Sequence, residues 1–106
     1  MNKNFPSLST MSQAVKIYKA LNPAAKNIDY MPHGYTMSDI FRYLPHEITY
    51  NNHRGDLCIS TVDITYFSIG EGWKHVLVHH EPIPLDGDIY DAFINMIDWL
   101  KKNNLM

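Results

Sequence analysis

The chain has 106 residues, 45% of them hydrophobic and 19% charged, with nine basic against eleven acidic side chains. That length holds one domain with a real core, the composition excludes a disordered or fibrous chain, and a formal charge of −2 supplies no general field for nucleic acid phosphates. The lone Cys58 leaves no partner for an internal disulfide or a paired-cysteine zinc site, and without an apolar signal core or a membrane-length apolar run the expected location is the cytoplasm.

In chain order, Thr10-Met11-Ser12-Gln13 has the form of a capping box and predicts a first helix over 11–21. Met11, Ala14, Val15, Tyr18 and Leu21 share its predicted apolar face, and Asn22-Pro23 stops it. Residues 24–35 contain Pro32 and Gly34 and keep no period, so they read as a connecting loop. Thr36-Met37-Ser38-Asp39 repeats the capping logic for a short second helix, with Met37, Ile40, Phe41 and Leu44 as its apolar side and Pro45 as its end.

From Glu47 the period changes. Residues 47–50 predict a short strand, 51–56 a turn from their Asn and Gly content, and 57–68 one strand rich in β-branched and aromatic residues. Residues 69–72 reverse the chain, and 73–80 form a strand that sends Trp73, His75, Leu77 and His79 to one side. A final helix begins at Asp86 or Asp88, with Ile89, Ala92, Phe93, Met96, Ile97 and Leu100 at the spacing of one helical face. The expected fold is a single α+β domain over 1–106: two helices, an antiparallel meander of about three strands and a C-terminal helix, in two layers with the helices on one face of the sheet. Such a sheet has two edges that invite pairing with another chain.

Nothing in this pattern spells out catalysis. Six histidines are many for this length, but four strand residues put the Cα atoms of His75 and His79 about 13 Å apart, too far for one metal. His79 and His80 point to opposite faces, and Cys58 inside a strand behaves as a small hydrophobe. Gly70-Glu71-Gly72 lacks the spacing and lysine of a phosphate loop. No catalytic residue, metal or cofactor is therefore expected. Trp73, Tyr90 and Trp99 are the candidates for a protein contact, because Tyr90 and Trp99 fall off the main stripe of the last helix and aromatics outside a core often anchor interfaces.

The run from Thr36 to Pro45, the meander after it and the terminal segment from Asp91 to Asn104, with its Trp99-Leu100-Lys101-Lys102-Asn103 ending, together resemble small uncharacterised proteins of bacteriophages and mobile elements of gut bacteria. In those a short helix ending near Leu-Pro precedes a few strands and a terminal helix. The resemblance implies a small accessory protein and carries over no catalytic residue. The expected function is therefore binding of a host protein or of a second copy as a homodimer, with inhibition of a host defence system as a variant and with neither nucleic acid nor membrane as partner. The alternative is a nucleotide-like or anionic small molecule held by Arg54, His75 and His79 beside tyrosines.

Overall fold

The computed structural model describes residues 5–25, 32–69 and 75–106, leaving aside the side chains of 69 and 75. Three helices, α1 (Met11–Leu21), α2 (Met37–Tyr43) and α3 (Ile89–Lys102), accompany four strands, β1 (Glu47–Tyr50), β2 (His53–Ile59), β3 (Asp63–Ile69) and β4 (His75–Pro82). The strands form one antiparallel sheet in the order β1-β2-β3-β4. The fold is α+β, with four strands in place of the expected three.

The additional strand comes from two turns that composition blurs. Asn51 and Asn52 both take positive φ, 51° and 65°, the geometry of a two-residue hairpin turn matched to the sheet's twist. Pairing therefore resumes at once with Tyr50 opposite His53, and residues 53–56, expected in a turn, belong to β2. The second turn divides the predicted strand 57–68. Ser60 Oγ donates to Asp63 Oδ1 at 2.6 Å and accepts the backbone N–H groups of Val62 and Asp63. A hydroxyl that satisfies its own local backbone outcompetes the ladder, although the flanking residues are strand formers.

The helices are fixed at their starts by reciprocal caps. Thr10 and Gln13, Thr36 and Asp39, and Asp88 and Asp91 each form a complete capping box. Gln13 Nε2 also donates to Asp88 Oδ1 at 2.9 Å, while at the other ends Lys101 Nζ reaches the Leu21 carbonyl at 3.5 Å. With their N-termini joined and their C-termini joined, α1 and α3 run side by side in the same direction. α3 ends in a left-handed residue, Asn104 with φ 57°, and the Leu105 and Asn104 N–H groups bond the Leu100 and Lys101 carbonyls at 2.9 and 3.2 Å. That double closure satisfies carbonyls the helix leaves open.

All six predicted apolar residues of α3 are fully buried. α3 lies on β3 and β4 and α1 packs along α3. In α1 the buried face is rotated from the expected one: Ala14 and Ile17 are fully buried and Tyr18 and Leu21 packed beside them, while Met11 is exposed. Phe41 of α2 is likewise exposed, and Ile40 and Leu44 carry that helix's burial. Among the described residues no helix is long and apolar enough to cross a membrane.

Candidate functional site

Register assigns the sheet's two faces. Ile48 faces Gly55 across β1 and β2, Leu57 faces Tyr66, and Ile59 faces Ile64. Ile48, Gly55, Ile64 and Tyr66 are buried beneath the helices. The alternate positions, Glu47, Thr49, Arg54, Asp56, Cys58, Thr65 and Phe67, turn to the other face, which no described helix covers.

Strand β4 breaks this alternation. Tyr66 pairs with His79 but Phe67 pairs with Leu77, so Val78 is an inserted residue, the signature of a β-bulge. Strict alternation puts Leu77 and His79 on one side, as the sequence suggested. The bulge separates them: Leu77 lies opposite Phe67 on the open face, 56% exposed, and His79 lies opposite Tyr66 under the helices. Gly55 makes room for this, because a Cβ there would stand 3.1 Å from both Tyr66 Cβ and Val78 Cγ2.

His79 stacks on Trp99 with ring centroids 3.8 Å apart and planes 2° from parallel. Tyr50 meets the same indole edge-on at 5.1 Å, an arrangement aromatic quadrupoles favour. Glu81 Oε1 lies 2.7 Å from His79 Nε2, and since the carboxylate only accepts, Nε2 is the donor. Trp99 thus anchors β1 and β4 to α3 and is half-buried. The His79 ring is stacked on one side and bonded to Glu81 at its edge, a geometry of packing.

The open face carries charges that are paired within the chain. Arg54 stands between Glu47 at 3.0 Å and Asp56 at 3.4 Å, all well exposed. His80 lies 3.4 Å from Asp63. Burial draws the Asp63 carboxyl upward, but hydrogen bonds from Ser60, Thr65 and His80 outweigh it and hold it below the usual value. Beside these pairs the face is apolar at Leu77 and the half-buried Phe67, with Cys58 and Thr65 between.

The predicted site residues scatter. Trp73 lies outside the described residues. Tyr90, expected at the surface, is fully buried, and its assignment as a contact residue is corrected. The segment before α1, which the sequence analysis left unassigned, covers it: Tyr90 donates its hydroxyl to the Pro6 carbonyl at 2.8 Å, and Phe5 packs against the core. Burial, with Asp88 and Asp39 nearby, pushes the Tyr90 phenol up to about 12. Of the alternative ligand set, Arg54 and His79 occupy opposite faces, and His75 is placed only by its backbone, opposite Ile69. The three do not line one pocket. Among the described residues no group of three His, Cys, Asp or Glu side chains is placed to hold a metal ion. What sequence reasoning missed is the Phe67 and Leu77 pair; the signal lay in Leu77 but was hidden by a bulge that no residue type announces.

Comparison of the chain with family models, with curated proteins and with solved structures finds no match in any of the three.

Proposed function

We propose that the chain is a small protein-binding module that acts by association rather than catalysis, and that its contact surface is the open face of the sheet around Phe67 and Leu77. The observation that carries this reading is Leu77, a large apolar side chain 56% exposed beside Phe67 on a sheet face that no described helix covers. Both edges of the sheet are poor alternatives. β1 has four residues. β4 is interrupted at Val78 and ends in Pro82, whose missing N–H falls toward the free edge, because the neighbouring Ile83 N–H bonds inward to Val62 at 2.8 Å.

A second copy of the chain is the partner this face suits first. Its arginine is already engaged in cis, Arg54 with Glu47 and Asp56, and His80 lies in hydrogen-bond reach of Asp63, so a two-fold arrangement can bring apolar ends together without stranding a lone cation. Four strands about 4.8 Å apart, of four, seven, seven and eight residues, present roughly 400 Å² of sheet plane at about 3.4 Å per residue, about half of one side of a standard interface. The resemblance to phage and mobile-element proteins extends the proposal to a host protein on the same face, with inhibition of a defence system as the role. The nucleotide or anion reading is not favoured, because Arg54 and His79 stand on opposite faces. Native mass spectrometry across a dilution series tests the proposal: a dimer for the parent chain and a monomer for Leu77→Lys support it, and a parent chain that stays monomeric throughout removes self-association.

A further inference from the structure

Among the described residues the most exposed large apolar side chain is not Leu77 but Leu85, which stands fully in solvent in the linker between β4 and α3. It has apolar neighbours. Ile83 packs against the core, while Pro82 and Pro84 on either side of it are exposed. The Ile83 N–H bonds the Val62 carbonyl at 2.8 Å and Pro82 pairs with Asp63, so the turn between β2 and β3 lies beside the linker, with Val62 65% exposed. Val62, Pro82, Pro84 and Leu85 gather exposed apolar surface at one end of the sheet, a grouping that scattered single residues do not make.

This knob is held in place. Proline fixes φ at 82 and 84, and the Gly87 N–H closes a turn on the Pro84 carbonyl at 3.1 Å. Asp88 then begins α3 in its capping box. Leu85 and Asp86 are the two central residues of the turn, so Leu85 is presented with little backbone freedom left to lose on binding.

Charge selects the partner. From Glu81 to Leu100 the chain has five carboxylates and no lysine or arginine, and Asp86, Asp88 and Asp91 follow Leu85 closely. Asp86 is exposed, Asp88 and Asp91 keep their charge while accepting N–H groups of the cap, and Asp63 joins them opposite Pro82. Lys16 shares a cleft with Asp86 and Asp91 and is outnumbered. Such a field repels anionic lipid and nucleic acid phosphate alike. It suits a surface that sets lysines or arginines beside apolar side chains.

We infer that the knob at Val62 and Leu85 docks on a basic amphipathic helix of a partner protein, with Leu85 entering between its apolar side chains and Asp86 facing its cations. This goes beyond the protein-binding reading of the open face and is separate from it, since Leu77 lies five residues before Pro82 along β4, about 16 Å by strand rise.

The test is NMR titration of the full chain with an amphipathic helical peptide of lysine and leucine, beside a peptide of the same pattern with glutamate in place of lysine. Saturable shifts centred on Val62 and residues 82–88 are expected with the lysine peptide, weakening as salt is raised. Leu85→Ser should weaken binding about tenfold, the scale of burying one leucine side chain, and Asp86→Asn roughly two- to fivefold with a shallower salt dependence. Neither should move the unfolding midpoint, because both side chains are exposed. Leu77→Thr should bind as the parent does, which keeps this result apart from that of the open-face proposal. The inference is overturned by the absence of saturable shifts, by shifts centred on Phe67 and Leu77, by equal affinity for the glutamate peptide, by Leu85→Ser binding as the parent does, or by self-association of the parent that Leu85→Ser abolishes.

Discussion

The two faces of the sheet are built from the same strands and follow opposite rules. Tyr66 and Leu77 make the contrast concrete: Tyr66 is fully buried with its hydroxyl tied to the Pro45 carbonyl at 2.7 Å, while Leu77, one pair further along, stands 56% exposed. Burial pushes the Tyr66 phenol well above its ordinary value. On the helix side Ile64 and Tyr66 are fully buried and the Tyr66 hydroxyl is bonded, so substitutions there should be felt as stability. On the open side the charges are solvated and Leu77 lacks cover, so substitutions there should be felt as association. A sheet with one face packed and the other wet is the usual antiparallel solution; an exposed leucine beside a phenylalanine on the wet face is the departure that asks for a partner.

The sharpest way to break this contrast is to truncate both sides. Tyr66→Ala should cost about 3–5 kcal/mol in denaturant unfolding, the range for deleting a buried aromatic; a loss below 1 kcal/mol on the order of a surface change would mean the helix face is loosely packed. Gly55→Ala comes next. Its new Cβ meets Tyr66 and Val78 at 3.1 Å, and overpacking of this kind costs about 1–3 kcal/mol. If Gly55→Ala is instead neutral, the bulge at Val78 is free to shift and does not pin His79 against Trp99.

A finer test uses Tyr90. Its phenol is pushed up to about 12 and that of Tyr35 likewise, from an ordinary 10.0. The folded chain therefore keeps these protons where the unfolded chain loses them, so stability is intact below pH 10 and falls as pH rises through the folded values. Tyr90→Phe should lose about 0.5–1.5 kcal/mol at neutral pH with the Pro6 hydrogen bond and should fall less steeply in alkali. An alkaline slope identical to the parent's would show that Tyr90 ionises freely. The smallest stability effect belongs to Leu77→Thr, expected within about 0.5 kcal/mol of the parent, and a larger loss would place Leu77 in a packed environment.

How much of this was legible in the sequence follows the strength of each local signal. The C-terminal helix was readable in full because six residues, Ile89 to Leu100, keep one period and all six are buried. The capping boxes at Thr10 and Thr36 were readable because both partners lie within four residues of chain. Ile17 was missed because the apolar face of α1 is set by α3, which packs along it, and not by α1's own periodicity. The fourth strand was hidden for two reasons: Asn51-Asn52 make a turn of only two residues, and Ser60 folds a β-branched stretch on itself. Of the candidate site, aromatic character pointed to Tyr90 and Trp99, but the first is sealed by the segment at Phe5 and Pro6 and the second is clamped between Tyr50 and His79. Exposure depends on what lies across the fold, and a single chain position does not carry it.

The claim at the centre of this account, that the open face is where the chain associates, is tested most directly by sedimentation velocity of the parent and Leu77→Lys at matched concentrations. The account predicts a concentration-dependent shift to dimer for the parent, lost in Leu77→Lys while the thermal unfolding midpoint is retained. A parent that stays monomeric, or a Leu77→Lys variant that dimerises as the parent does, would contradict it.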